Sequence, residues 1–358
     1  MPQQRDSGIE LLRIVSMLMV LNVHTFFAPN NLEILTMGGG NLARLSVDFF
    51  REASSISCVN LFVLISGYFS IKWKAKSISS LVFQVYFWIF LVYAVCLIIG
   101  HTEFSFKELG KHIMGIMTGY WFIPAYIGLY VMSPILNSFI NSSDNKHLLR
   151  YIIIFYIFQL LMSVPFLGVD SFQNGYSILS FCGLYMIGAY IKKASVCELT
   201  IFQTKTKVFG WIISVTLIIA ASVLAAGVVF HRSGDKLVTT PLISFVYNNP
   251  LIVVQSILIF IFFVKLKIRS NFINWCAGGA LAIYLLHMHP NIKSDYYSFA
   301  EQLYSESIEI QYLSIILLFI AVALIAIPVD KIRAWLFNTV YDKASNLLSA
   351  SRSKNFPR

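Results

Sequence analysis

The sequence predicts an all-α polytopic membrane protein with about ten transmembrane helices and with both termini in the cytoplasm. Of its 358 residues, 57% are hydrophobic and 12% are charged, and the mean hydropathy is +0.72. An average soluble domain carries about a quarter charged residues. So apolar a composition excludes a water-soluble globular protein, because too few residues remain to build a polar surface.

Ten segments of the chain are candidate membrane spans, since a transmembrane helix needs about 20 mostly apolar residues. The eighth is the least regular, because Pro250 and two asparagines interrupt it. A separate amphipathic segment, 101–119, is expected outside, lying on the membrane surface or re-entering it. The predicted spans are 9–29, 49–70, 78–100, 120–140, 148–168, 176–192, 208–230, 242–264, 274–291 and 310–330.

The positions of Lys and Arg predict the orientation of these spans, because cytoplasmic loops are enriched in both residues. With the N-terminus in the cytoplasm, the cytoplasmic segments contain twenty of the 27 basic residues. Topology then accounts for most of the net charge of +10, and no nucleic-acid partner is expected. Residues 1–335 are predicted to form one transmembrane domain, and residues 336–358 a basic cytoplasmic tail.

The cysteines and histidines do not predict a metal site. The five cysteines form no CxxC pair, which argues against thiolate ligands and against a disulfide framework. His287 and His289 are two residues apart, so they do not share a helix face. No bound metal is therefore expected.

Two ionisable residues, Arg13 and His24, lie in the first predicted span. They are eleven residues apart, which in an α-helix corresponds to roughly 16 Å along the axis and about three turns. We therefore expect both on one face, Arg13 near the cytoplasmic end and His24 toward the outer end. Ionisable side chains inside a membrane are functional candidates, although Arg13 could also be a topology anchor and His24 a packed polar residue.

Five further residues are candidates for substrate binding. Ser66 and Tyr68 end the run VNLFVLISGYF, whose small residues could also serve helix packing. Trp121 and Tyr126 belong to YWFIPAYIGLYVMSPILN, where the leading aromatic residues could form an interfacial belt or stack on a sugar ring. His287 lies at the outer end of the ninth span, at about the height of His24.

These stretches, taken in order, resemble the integral-membrane acyltransferase 3 family, whose members O-acylate cell-surface carbohydrates. RDSGIELLRIVSMLMVLNVH is similar to the family's opening, in which an arginine is followed after ten residues by a histidine. VNLFVLISGYF, YWFIPAYIGLYVMSPILN and ALAIYLLHMHP resemble its later segments, so the resemblance runs from about residue 5 to residue 330. Many relatives have Asp where this chain has Asn60; if that carboxylate orients their histidine, another group must do so here.

The resemblance implies an acyl-CoA donor, usually acetyl-CoA, and a hydroxyl of a cell-surface or lipid-linked polysaccharide as acceptor. It also implies a multi-pass protein of the plasma membrane, surrounded by lipid. His24 would be the catalytic histidine and Arg13 its motif partner.

The chemistry of the candidate residues suits that reaction. The guanidinium of Arg13 could bind the phosphates of CoA, and His24 could take a proton from a sugar hydroxyl. Tyr68, Tyr126 or His287 could donate a hydrogen bond to the oxyanion. A covalent acyl-histidine stays open as a route, and the alternative function is a transporter or flippase of a polyprenyl-linked glycan.

Overall fold

The computed structural model describes residues 6–27, 42–114, 119–163, 172–233 and 244–355. Across these ranges the regular secondary structure is helical and contains no strand, so the predicted all-α class is confirmed. Parts of several sequence predictions lie outside the described residues. They are residues 1–5, the span ends 28–29, 164–168 and 242–243, residues 115–118 of the amphipathic segment, and residues 356–358 of the tail.

The described part of the chain contains fourteen α-helices, numbered here in chain order, and a π-helical turn, Val23–Phe27, that continues the first helix. The helices are α1 Ser7–Asn22, α2 Leu42–Ser55, α3 Cys58–Phe69, α4 Ala75–Ile98, α5 Phe106–Ile113, α6 Phe122–Ser142, α7 Asn145–Met162, α8 Ile178–Lys193, α9 Lys205–Ser233, α10 Pro250–Val264, α11 Asn271–Ala277, α12 Ala280–His287, α13 Lys293–Tyr304 and α14 Ile308–Asn355.

Six of the described segments are long and apolar enough to cross a membrane. Helices also occupy the other four predicted spans, but α7, α8, α10 and the pair α11 and α12 are shorter or less apolar. A total of ten spans and the cytoplasmic place of both termini therefore stay predictions. The six segments are Ser7–Phe26, Ala43–Phe69, Ala75–Ile98, Phe122–Ser142, Lys205–Val229 and Ile308–Ala344.

Apolar side chains cover the outside of the bundle. On α7, Ile154 and Ile157 are each 55% exposed, and on α14, Leu324 is 71% exposed. Large contiguous apolar surfaces are rare on proteins that live in water. Lipid tails can cover them, so this surface is what the predicted membrane class requires.

Helix α1 runs through the middle of the bundle. Asp6 caps its N-terminus: the carboxylate accepts hydrogen bonds from the backbone N–H groups of Gly8 and Ile9 and so satisfies donors that the first turn leaves free. Helices α2, α3, α10, α11 and α12 all pack against α1. Its side chains are therefore enclosed on several sides, and Leu12 and Ser16 are fully buried.

Two of the predicted spans are broken helices. The first break, at Ile56 and Ser57, separates α2 from α3. The amide nitrogen of Gln255 donates to the carbonyl oxygen of Ala53 at 2.8 Å, and its carbonyl oxygen accepts from the hydroxyl of Ser57. A partnered side chain inserted at a kink satisfies the backbone groups that the break exposes. The second break, at 278–279, separates α11 from α12.

Two positions singled out from the sequence, Pro250 and the boundary at residue 335, lie in regular helices. Pro250 does not interrupt a helix, because it begins α10, where a missing N–H costs nothing. The domain boundary predicted at residue 335 lies inside the 48-residue helix α14. The tail therefore continues the last predicted span without a break in the described backbone.

Glycines allow α3 and α8 to pack closely. A Cβ atom on Gly188 would lie 2.3 Å from the carbonyl oxygen of Leu64, and one on Gly67 would lie 2.1 Å from that of Tyr185. Real Cβ atoms do not approach backbone oxygens so closely, so the two helices would have to separate to accept a larger residue.

We expect Gly188→Ala to lower the melting temperature of the protein in detergent micelles, because overpacking costs roughly 1–3 kcal/mol. Gly210→Ala in α9 is the matched control, since nothing lies within 4 Å of its added Cβ and Ala favours helix. Equal melting temperatures for the two variants would contradict the close packing of α3 and α8.

Candidate functional site

A cavity of about 310 Å³ lies inside the bundle, between α1, α3, α4, α6, α11 and α12. Arg13 and His24 both line it, so the structure brings together the two residues that the first span singled out. The rest of the wall is mostly apolar and includes Met17, Val20, Phe62, Ile65, Leu81 and Leu281.

Arg13 supplies a cation at one end of the cavity. Its Nη1 atom lies 3.3 and 3.4 Å from the two carboxylate oxygens of Glu10, one turn earlier on α1. The Arg13 side chain is 35% exposed. These contacts use one nitrogen of the guanidinium, and its remaining N–H groups are suited to bind an anion.

A buried carboxylate supports the same part of the wall. Asp330 on α14 accepts a hydrogen bond from Gln84, which lines the cavity, at 2.8 Å, and one from the indole of Trp88 at 3.2 Å. Arg333 donates to both Asp330 oxygens, at 3.1 and 2.7 Å. This network fixes α4 against α14 and orients the side chain of Gln84.

His24 lies in the π-helical turn that follows α1. Such turns insert one residue into a helix and are frequent at functional sites. The hydroxyl of Thr25 donates to the carbonyl oxygen of Leu21 at 2.8 Å and lies 2.6 Å from the hydroxyl of Tyr296 on α13. Burial raises the pKa of Tyr296, so its hydroxyl keeps the proton for this contact and the turn is held in place.

The imidazole of His24 contacts a second imidazole behind the cavity wall. Its Nδ1 atom lies 3.0 Å from Nε2 of His287, the last residue of α12. Nδ1 of His287 lies 2.6 Å from the carbonyl oxygen of Ile283. His287 is 2% exposed and is not among the residues that line the cavity. Tyr284 and Tyr296 enclose the pair, with ring centroids 6.3 Å from His24 and 5.3 Å from His287 respectively.

Ser66 and Tyr126 line the cavity together. The hydroxyl of Ser66 donates to the carbonyl oxygen of Phe62 at 2.9 Å and lies 3.0 Å from the hydroxyl of Tyr126. Because serine has one hydroxyl proton, Tyr126 is the donor of that second bond. The pair therefore offers acceptor oxygens to a ligand and is not preorganised to donate to an oxyanion.

Tyr68 is not among the residues that line the cavity. Its ring packs against Phe260, with centroids 5.1 Å apart, and Lys192 Nζ lies 5.5 Å from its centre. The oxyanion role considered for Tyr68 therefore has no support in the geometry.

Trp121 lines the cavity within a cluster of three aromatic rings. The ring centroid of Tyr176 lies 4.4 Å from that of Trp121, and Tyr247 lies 5.8 Å from it in a stacked arrangement. Tyr176 and Tyr247 are not among the candidate residues predicted from the sequence. A signal existed for Tyr176, because it follows the turn residues Gln-Asn-Gly.

Strained backbone holds Tyr176 in this cluster. Gln173, Asn174 and Gly175 have φ angles of 46°, 53° and 96°, a left-handed run that is costly for residues other than glycine. A Cβ on Gly175 would lie 2.5 Å from the Cβ of Tyr247. The two tyrosines can approach only because position 175 is glycine.

Asn60 does not take over the role that an aspartate would have. Its amide nitrogen donates to the carbonyl oxygen of Tyr247 at 2.9 Å, and it is fully buried. This bond ties α3 to the loop that carries Tyr247. Of the described side chains, His287 is the one hydrogen-bonded to the ring of His24.

Within the described ranges, no three His, Cys, Asp or Glu side chains converge as the ligands of a metal ion would.

A family model described as an acyltransferase domain matches residues 6–330, nearly the whole chain. The chain therefore belongs to the acyltransferase 3 family, as its sequence motifs predict, and with its long apolar helices it is a membrane acyltransferase. Comparisons with curated proteins and with solved structures give no significant match.

Proposed function

We propose that this acyltransferase moves an acyl group, in the simplest case acetyl, from acyl-CoA to a hydroxyl of a cell-surface or lipid-linked polysaccharide at the plasma membrane. The observation that carries the proposal is that one cavity is lined by both a cation, Arg13, and a hydrogen-bonded imidazole, His24. A charged nucleotide donor and a neutral hydroxyl acceptor need those two kinds of group.

The donor would enter from the cytoplasmic ends of the helices, because acyl-CoA is made in the cytoplasm. Its phosphates are anionic, and the guanidinium of Arg13 can pair with a phosphate in a bidentate manner. Roughly 16 Å separate Arg13 from His24 along α1 and the turn that continues it, a distance that the extended pantetheine arm can cover. The apolar wall between them suits an arm with few charges.

The acceptor hydroxyl would lose its proton to His24. Its oxygen attacks the thioester carbon, a C–O bond forms, and the C–S bond then breaks. The proton moves to the imidazole of His24 and from there to the departing thiolate of CoA. Histidine suits both steps, because its ordinary pKa lies near 6.5.

The aromatic cluster supports a carbohydrate as acceptor. The rings of Trp121, Tyr176 and Tyr247 present flat apolar faces beside polar hydroxyl and indole groups, a combination that fits a sugar ring with both apolar and polar edges. Trp121 and Tyr247 also line the cavity that contains His24. The sugar would then lie next to the base.

A transporter or flippase of a polyprenyl-linked glycan is the alternative function. The break between α11 and α12 fits it, because broken helices line the substrate sites of many transporters. Family membership favours the enzyme. Release of labelled acetyl from acetyl-CoA by the purified protein separates the two functions, since a flippase has no use for the thioester.

Replacement of His24 tests the proposed base. We expect His24→Ala to lower acetyl release from labelled acetyl-CoA by about 100-fold or more, the usual contribution of a general base. His147→Ala is the control, because His147 is 71% exposed on α7 and outside the cavity. Turnover near that of the unaltered protein, with a normal melting temperature, would refute the mechanism.

Arg13→Lys tests the donor end. The substitution replaces the planar guanidinium, which can donate two parallel hydrogen bonds to a phosphate, by a compact ammonium group. We therefore expect CoA to bind roughly tenfold more weakly, which corresponds to a loss of about 1.4 kcal/mol of binding free energy. Titration with CoA measures this directly. Arg269→Lys, at an exposed position outside the cavity, is the matched control. Equal affinity of both variants would identify Arg13 as a topology anchor only.

The proposed route requires that the Arg13 end of the cavity face the cytoplasm and the His24 end face the outside. This orientation follows if both termini are cytoplasmic and the chain crosses the membrane ten times. Cys197→Ser and Cys276→Ser remove the two cysteines that are not buried, and the other three are buried. In that background, Ser77→Cys or Ser294→Cys, each made separately, places a single thiol at an exposed position. We expect membrane-impermeant maleimide to label the first only from the cytoplasm and the second only from outside. Labelling of both from one side would exclude the route.

A further inference from the structure

We infer that His287 is a positioning residue that fixes the tautomer of His24 and so presents the unprotonated Nε2 atom of His24 to the cavity. The inference rests on the proposed function, in which His24 is the base. It assigns His287 a role different from that of an oxyanion donor.

The hydrogen positions follow from the backbone. The carbonyl oxygen of Ile283 can only accept a hydrogen bond, so Nδ1 of His287, 2.6 Å away, carries a proton. A neutral imidazole has one N–H group, which leaves a lone pair on Nε2 of His287. That lone pair faces Nδ1 of His24 at 3.0 Å, so His24 donates through Nδ1.

The consequence for His24 is that its own lone pair lies on Nε2, at the opposite edge of the ring. His287 contacts the Nδ1 edge from behind the wall, and His24 itself lines the cavity. A base must offer a lone pair to the proton that it takes. The His287 contact therefore selects the tautomer that can act on a substrate.

The surroundings of His287 suit this role. It is buried at the C-terminal end of α12, and the partial negative charge of a helix C-terminus stabilises a cation. When Nε2 of His24 takes the hydroxyl proton, the charge on its ring is shared with His287 through the N–H···N bond. Aspartate has this orienting task in the Ser-His-Asp triad. In this chain, Asn60 stands where many relatives have Asp, and its amide nitrogen donates to the carbonyl oxygen of Tyr247.

Two substitutions of similar polarity separate positioning from packing. In His287→Gln, the longer side chain places its carbonyl oxygen near the former Nε2 and can still accept from His24. In His287→Asn, the shorter side chain can donate to Ile283 but does not reach His24. We expect kcat for acetyl transfer to fall about 100-fold in His287→Asn and less than tenfold in His287→Gln, with KM for acetyl-CoA unchanged in both.

Equal losses in the two variants would overturn the inference, because a packing role does not distinguish the acceptor atom. Full activity of His287→Asn while His24→Ala is inactive would also overturn it, but would leave the proposed function intact. An active His24→Ala would instead remove the proposed function. Nitrogen-15 NMR of the unaltered protein with labelled histidine is independent of variant folding: Nε2 of His24 should show the shift of an unprotonated nitrogen, and a protonated one would overturn the inference.

Discussion

Hydrogen bonding inside an apolar bundle is the constraint on which the rest of this structure depends. Neither lipid tails nor apolar side chains can satisfy a polar group, and each unsatisfied group costs several kcal/mol in such surroundings. Asp330 illustrates the solution: it accepts hydrogen bonds from Gln84 and Trp88 of α4 and from Arg333 of its own helix. Gln255 solves the same problem on α10, because its amide nitrogen donates to Ala53 of α2 and to Thr216 of α9. The contact between His24 and His287 is one more case, because it joins the turn after α1 to α12.

Local patterns were enough to predict much of the fold. Apolar runs mark where helices lie, and helices occupy all ten predicted positions in the described residues. Helical periodicity also brought Arg13 and His24 to one cavity, because eleven steps complete about three turns. The same rule could have separated Ser66 from Tyr68, since residues two apart face different sides of a helix. Only Ser66 of these two lines the cavity.

What the sequence could not predict depends on contacts between distant parts of the chain. His24 and His287 are 263 positions apart, and hydropathy contains no information about which spans become neighbours. The break at Ser57 is equally hidden, because the residues around it stay apolar and Gln255 of another helix stabilises it. The break at 278–279 had a visible cause, two successive glycines, which weaken a helix.

The wall of the cavity has a consequence for the membrane as an insulator. A passage that reaches from the Arg13 end of α1 to His24 is a potential leak for protons and metal cations, which would dissipate the electrochemical gradients of a living cell. The apolar part of the wall opposes such a leak. Residues such as Val20 and Leu281 line the cavity and disfavour a continuous file of water between Arg13 and His24. In the proposed function, the apolar side chains that line the path of the pantetheine arm would thus also keep the bilayer electrically sealed.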